Sequence, residues 1–209
     1  KRIAVNPHEQ TTSREEISAL ANIGVEEGVF GDKENKIIQN ILRLKNIKVS
    51  DIMTPRIVVV VADEKMQLEE FLRNKKFLHF SRIPIYSNNV ENITGYVFRQ
   101  TVFEYLAEDK AGMKLLDIAR HIVVVPESKP LFSVWELLLS KKEHIALVVD
   151  EYGGMAGVVT MEDIVESLLG FEIVDEKDTI SDMQQYARER WNTRRMKYAW
   201  LDNEENLKK

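Results

Sequence analysis

Two stretches of the chain, one starting at Val49 and the other at Leu115, carry the same succession of patterns. No other feature restricts the fold as much. Val49-Ser50-Asp51-Ile52 is echoed by Leu115-Leu116-Asp117-Ile118, and a β-branched run that reads as a strand follows each, Ile57 to Val61 and Ile122 to Val125. An amphipathic helix comes next, with Leu68, Phe71 and Leu72 on its apolar side in the first copy and Leu131, Val134, Leu137 and Leu138 in the second. Each copy then offers a strand pair: Ile83 lies twelve residues before Gly95, and Ile145 twelve before Gly157. A closing helix runs through Val102, Tyr105 and Leu106, and again through Ile164, Leu168 and Leu169. A repeat of about 60 residues in strand-helix-strand-strand-helix order predicts two similar α+β subdomains, packed with clefts along a pseudo-twofold interface.

The end of the second copy is where chemistry concentrates. Ile145 to Val149 and Met155 to Val159 read as strands joined at Gly153-Gly154, and Thr160-Met161-Glu162-Asp163 opens a helix that Gly170 ends. Thr160 and Asp163 have the spacing of a capping pair, which many helices use without binding anything. The same helix start also presents N–H groups, a hydroxyl and two carboxylates, a set suited to a ligand with phosphates and a sugar diol. Asp150-Glu151 before Tyr152-Gly153-Gly154 reads as turn chemistry rather than a metal site.

Composition removes several functional classes. The 209 residues, 44% hydrophobic and 30% charged, are ordinary for one or two globular domains. The longest apolar run, Ile57 to Ala62, is far short of the roughly 18 residues that cross a bilayer, so the chain as given is not expected to span a membrane, and its start at Lys1 without a methionine or signal peptide suggests a fragment of a longer protein. It contains no cysteine, which excludes disulfides and thiolate metal sites, and its four histidines show no zinc-ligand spacing. A net charge of -5 argues against wholesale nucleic-acid binding. There is no P-loop and no nucleophile beside a base, so the reading is of a module that is not an enzyme.

The flanks are read more simply. Residues 1–47 form a tether and an acidic helical linker. Ser13 and Glu16 make a capping box for a helix with Ile17, Leu20, Ala21 and Ile23, ended by Gly24. A second helix, N-capped by Asp32, runs to Lys45 with Ile37, Ile38, Ile41, Leu42 and Leu44 on one side. The repeats occupy 48–111 and 112–175. Residues 176–209 include a helix from Ser181 to about Trp200 in which Arg188, Arg190, Arg194, Arg195 and Lys197 interleave with Tyr186 and Trp191. It suits either an anionic surface or, the favoured reading, a solvated helix that packs Trp191 on the body.

Four motifs in order carry a family resemblance: Val49-Ser50-Asp51-Ile52-Met53-Thr54-Pro55-Arg56, Ser81-Arg82-Ile83-Pro84-Ile85-Tyr86, Val149-Asp150-Glu151-Tyr152-Gly153-Gly154, and the run from Gly157-Val158-Val159-Thr160 through Met161-Glu162-Asp163 to Glu166. Over roughly residues 25 to 175 the chain resembles the tandem cystathionine β-synthase (CBS) pair, or Bateman module, of the CorC/CNNM (hemolysin-like) magnesium and cobalt efflux proteins. The resemblance implies a cytoplasmic regulatory module at the membrane face, attached to a transmembrane domain, homodimeric, with an adenine nucleotide, AMP or ATP, bound between the repeats and Mg²⁺ in many members. Phe71, Leu72, Trp135 and Leu138 are candidates for the dimer surface or for the core.

Physical roles follow for the matching residues. Asp163 is the candidate to accept from the two ribose hydroxyls, with Thr160 beside it. Thr54, held extended by Pro55, is expected to meet the adenine edge. Ile83 and Pro84 are expected to form an apolar wall for the base, and Arg82 to face the phosphates. Glu162 would repel those phosphates, so its presence favours a nucleotide carrying Mg²⁺. In the twin cleft the twelve-residue register puts Phe98, Gln100 and Thr101 in place of Thr160, Glu162 and Asp163, Arg120 in place of Thr54, and His144 in place of Arg82. One competent site per chain is therefore expected. A purely structural dimerisation module is the alternative, and an enzyme acting on a nucleotide is the less favoured third reading.

Overall fold

The computed structural model describes residues 13–171; the tether and the basic aromatic helix expected at the two ends lie outside the described residues. α1 (Arg14–Glu26) starts with the expected capping box, in which the Ser13 hydroxyl accepts from the Glu16 N–H and the Glu16 carboxylate accepts from the Ser13 N–H. It does not end at Gly24. The Phe30 ring occupies the space where a Gly24 Cβ would stand, with its nearest carbon 2.6 Å away, and the chain turns only at Gly28, where φ is +74°. α2 (Asp32–Arg43) is capped by Gly31 rather than Asp32: the Glu34 carboxylate takes the Gly31 N–H at 2.7 Å, so Asp32 is already inside the first turn. α2 binds α1 through Ser18 and Gln39, and it holds the far end of the chain, with Lys36 and Asn40 donating to the carbonyls of Gly170 and Leu168.

The repeats form two sheets. The first unit contributes β1 (Thr54–Pro55), β2 (Ala62–Asp63), α3 (Leu68–Arg73), β3 (Arg82–Tyr86), β4 (Ile93–Phe98) and α4 (Arg99–Ala107); the second contributes β5 (Val123–Pro126), α5 (Leu131–Lys141), β6 (Ile145–Val149), β7 (Met155–Thr160) and α6 (Met161–Leu169). Strand orders are β2-β3-β4 and β1-β7-β6-β5, with parallel β2/β3 and β5/β6 and antiparallel hairpins β3/β4 and β6/β7. This is the α+β architecture expected of the repeat. The strand expected over Ile57 to Val61 does not form: that stretch leaves β1 on the second sheet and crosses to the first, starting with a turn in which the Val58 N–H donates to the Pro55 carbonyl. Only Ala62 and Asp63 reach a partner strand.

The crossing exchanges core residues between the units. Ala62, Leu68, Phe71, Ile83, Ile85, Val97 and Val102 build the first core, and Leu115, from the start of the second repeat, packs among them. Val125, Leu131, Val134, Leu138, Ala146, Val148, Val159 and Ile164 build the second, joined by Leu44 from the helical linker and Val49 from the start of the first repeat. Each fully buried Leu, Ile or Phe contributes about 1.5–3 kcal/mol. Phe71, stacked on Phe77 at 4.8 Å between centroids, and Leu138 are core rather than surface, whereas Leu72 is exposed and Trp135 is half-buried. The opposite sheet faces meet in a third layer of Tyr96, Ile145, Leu147, Met155 and Val158, with Val59, Val61 and Phe98 against it.

Candidate functional site

The strand registers of the two units correspond, with one correction to the expected spacing. Gly95 and Gly157 match: a Cβ on Gly95 would lie 2.5 Å from the Arg120 carbonyl oxygen, and one on Gly157 2.3 Å from that of Thr54. Thr54 and Arg120 are therefore twins, as the spacing predicts, pairing with Val158 and Tyr96 respectively. Arg82 is not the twin of His144. The first hairpin loop holds Ser87 to Asn92 and the second only Asp150 to Gly154, one residue fewer, so the Ser81 and His144 carbonyls play the same part, accepting from Arg99 and Met161. Arg82, opposite Phe98, then corresponds to Ile145, opposite Thr160. The twin cleft thus lacks a cation at that position. It also lacks the cap carboxylate, since Phe98 gives α4 no side-chain cap.

At the start of α6 the capping box is complete. Asp163 Oδ2 accepts from the Thr160 N–H at 2.7 Å and from its hydroxyl at 2.9 Å, and Thr160 Oγ1 accepts from the Asp163 N–H. A carboxylate has about four acceptor lone pairs, so this cap is compatible with a diol bound at the same group. β3 brings Arg82 to this helix from the other repeat: its guanidinium is 3.6 Å from the Glu162 carboxylate and 5.0 Å from the Phe98 ring centroid. Its side chain is only 18% exposed, and Nε is buried with no hydrogen-bond partner. A buried, unsatisfied guanidinium N–H is costly without an acceptor. Thr54 is half-buried on the edge strand beside β7, which ends at Thr160.

Strand alternation sorts the remaining two residues. Arg82 and Pro84 face Phe98 and Tyr96 across the hairpin on the inter-sheet side, whereas Ile83 pairs with Val97 and is fully buried in the first core. The Ile83 side chain therefore cannot serve as the expected wall for a base. Asp150 does what its turn position predicts, taking the N–H groups of Tyr152 and Gly154 on Oδ1, and among the described residues there is no cluster of acids and histidines suited to a metal.

The twin cleft holds a network that the sequence does not announce. The Tyr96 hydroxyl donates to Glu143 at 2.6 Å, Arg120 pairs with the same carboxylate at 3.4 Å, and the Arg120 guanidinium stands 5.8 Å from the Tyr96 ring centroid and 5.3 Å from that of Phe98. Arg120 carries a signal, as the twin of Thr54; Glu143 lies just after α5 with none. Burial first, then the bond to Glu143 and its charge, push the Tyr96 phenol from 10.0 up to about 12. A phenol held protonated by the fold contributes fully below pH 10, and that contribution is lost as the pH rises through about 12. The urea midpoint of the unchanged chain is expected to fall more steeply between pH 10 and 12 than that of Tyr96→Phe. Equal falls would remove Tyr96 as the source.

Comparison with known proteins agrees with this architecture. The CBS-domain family profile matches residues 116–170. The structure of the CBS domain of a bacterial CNNM/CorC family Mg²⁺ transporter is 34% identical, covering 78% of this chain and 99% of that one with a TM-score of 0.73. A structure of such a domain in complex with ATP is 35% identical over 66% of this chain and 98% of that one, with a TM-score of 0.63. The magnesium and cobalt efflux protein CorC of Escherichia coli is 29% identical over 189 residues, 90% of this chain and 64% of that protein. The chain spans about half to two thirds of the length of the curated bacterial relatives it matches, and no helix among the described residues is long and apolar enough to cross a membrane. With two exchanged repeats, two small sheets and a capped helix at their junction, the chain belongs to the CBS-domain modules of the CNNM/CorC family.

Proposed function

We propose that this chain is the regulatory adenine-nucleotide-binding module of a membrane divalent-cation transporter, with repeats at 48–111 and 112–175. The nucleotide, AMP or ATP with Mg²⁺, sits between the repeats: Thr54 and Pro84 at the base, Asp163 and Thr160 at the ribose, Arg82 at the phosphates, and Glu162 close enough to a phosphate-bound Mg²⁺ to be neutralised by it. The observation that carries the reading is Arg82, a buried cation from one repeat delivered to the helix start of the other with Nε lacking an acceptor. A phosphate supplies that acceptor in bidentate geometry. The ATP complex of a related domain supports the same ligand class.

Binding regulates because it ties the repeats together across the cleft. A ligand that contacts both units binds one relative arrangement better than another and so biases an attached transmembrane domain for Mg²⁺ or Co²⁺ at the cytoplasmic face. Two copies of the module associate as a homodimer in this reading, and neither catalyses a reaction. Calorimetric titration with ATP, with and without Mg²⁺, tests it. One site per chain, tightened by Mg²⁺ and weakened at least tenfold in Asp163→Ala, is the expected result. Absence of binding by the unchanged chain would leave a structural dimerisation module.

A further inference from the structure

Phe98 has two arginines on its ring. Arg82 lies 5.0 Å and Arg120 5.3 Å from its centroid, so the guanidinium carbons are no farther apart than the sum of those distances. Each has its own acid, Glu162 for Arg82 at 3.6 Å and Glu143 for Arg120 at 3.4 Å. Glu162–Arg82–Phe98–Arg120–Glu143 is thus a continuous path from the candidate site into the twin cleft. Two cations gathered on one ring repel each other unless anions lie close by. The two differ in burial: the Arg82 side chain is 18% exposed, that of Arg120 52%.

We infer that Arg120 reads the length of the phosphate chain: Arg82 takes the phosphate nearest the ribose, and Arg120 takes the distal phosphates of a di- or triphosphate. The inference rests on the nucleotide reading above and adds the residue that separates long from short phosphate chains. The first phosphate follows the ribose carried by Asp163 and Thr160, and Arg82 stands at that helix start, paired with Glu162. A monophosphate ends there. A longer chain extends over the Phe98 ring toward Arg120, whose ion pair with Glu143 is partly solvated and therefore weak enough to exchange for phosphate oxygens. Phe98 holds the face of the guanidinium while its edge donors change partner. Glu143 keeps the Tyr96 hydroxyl when Arg120 leaves, so the exchange strands no buried acceptor. Arg120 stands where Thr54 stands in the other half, so the residue that would build a second base site has become a cation serving the first.

The test is calorimetric titration of the full chain and of Arg120→Gln, Arg120→Lys and Glu143→Gln with AMP and with ATP, in excess Mg²⁺. Arg120→Gln is expected to weaken ATP about tenfold, the size of one lost charge-assisted contact, and to leave AMP within about twofold. Arg120→Lys should recover part of the ATP loss, because it restores the charge without the fork. Glu143→Gln should tighten ATP and not AMP, because it frees Arg120 while still accepting from Tyr96. Equal weakening of both nucleotides in Arg120→Gln, or weakening of neither, would overturn the inference and leave the nucleotide site standing. If neither nucleotide binds the unchanged chain, both readings fall together.

Discussion

Gly157→Ala is expected to lower the unfolding free energy by about 3 kcal/mol, near the upper end for overpacking, and to weaken nucleotide binding with it. The new Cβ would lie 2.3 Å from the Thr54 carbonyl oxygen and 3.2 Å from Met53 Sδ. The first neighbour is backbone and cannot rotate away. β1 must therefore separate from β7, breaking the Thr54–Val158 pairing and displacing the residue assigned to the base. Urea unfolding and ATP titration on one preparation measure both effects. Wild-type stability in Gly157→Ala would mean that β1 tolerates displacement and is not what joins the first repeat to the second sheet.

Leu115→Ala should cost about 2–5 kcal/mol, the range for a fully buried leucine, and where the loss falls is the informative part. By sequence order Leu115 introduces the second repeat. Its side chain packs with Leu68, Phe71, Ile83 and Val97 of the first. Amide hydrogen exchange should therefore speed up across β3, β4 and α4 more than across β6, β7 and α6. Val49→Ala is the mirror experiment, since Val49 packs with Val125, Leu131 and Val148. Loss of protection on the sequence-adjacent side in either variant would contradict the exchange of core residues.

These two substitutions mark the boundary between what pattern conveys and what it does not. Gly95 and Gly157 stand out from the spacing alone, but that spacing also suggested a uniform register, and the first hairpin proved one residue longer. That single residue makes Ile145, not His144, the counterpart of Arg82. Ile83 and Pro84 read alike as apolar residues next to a candidate cation; the pleat sends one to the core and the other to the inter-sheet face. The run Ile57 to Val61 has the composition of a strand and crosses between sheets instead, because composition reports burial and not hydrogen-bond partners.

By itself the sequence determined the repeat, the α+β class, the helix cap at Thr160 and Asp163, and the asymmetry that leaves only one half with a carboxylate at that cap. All of these are local: periodicity, turn chemistry and capping act within a few residues and leave a readable spacing. Only the tertiary structure decided which core receives Val49 and Leu115, that Arg82 meets Glu162, and that Phe98 carries two arginines. Those contacts join residues far apart in the chain through two sheets packed face to face, and a side chain's place in such an interface depends on register and crossing, which no single segment encodes.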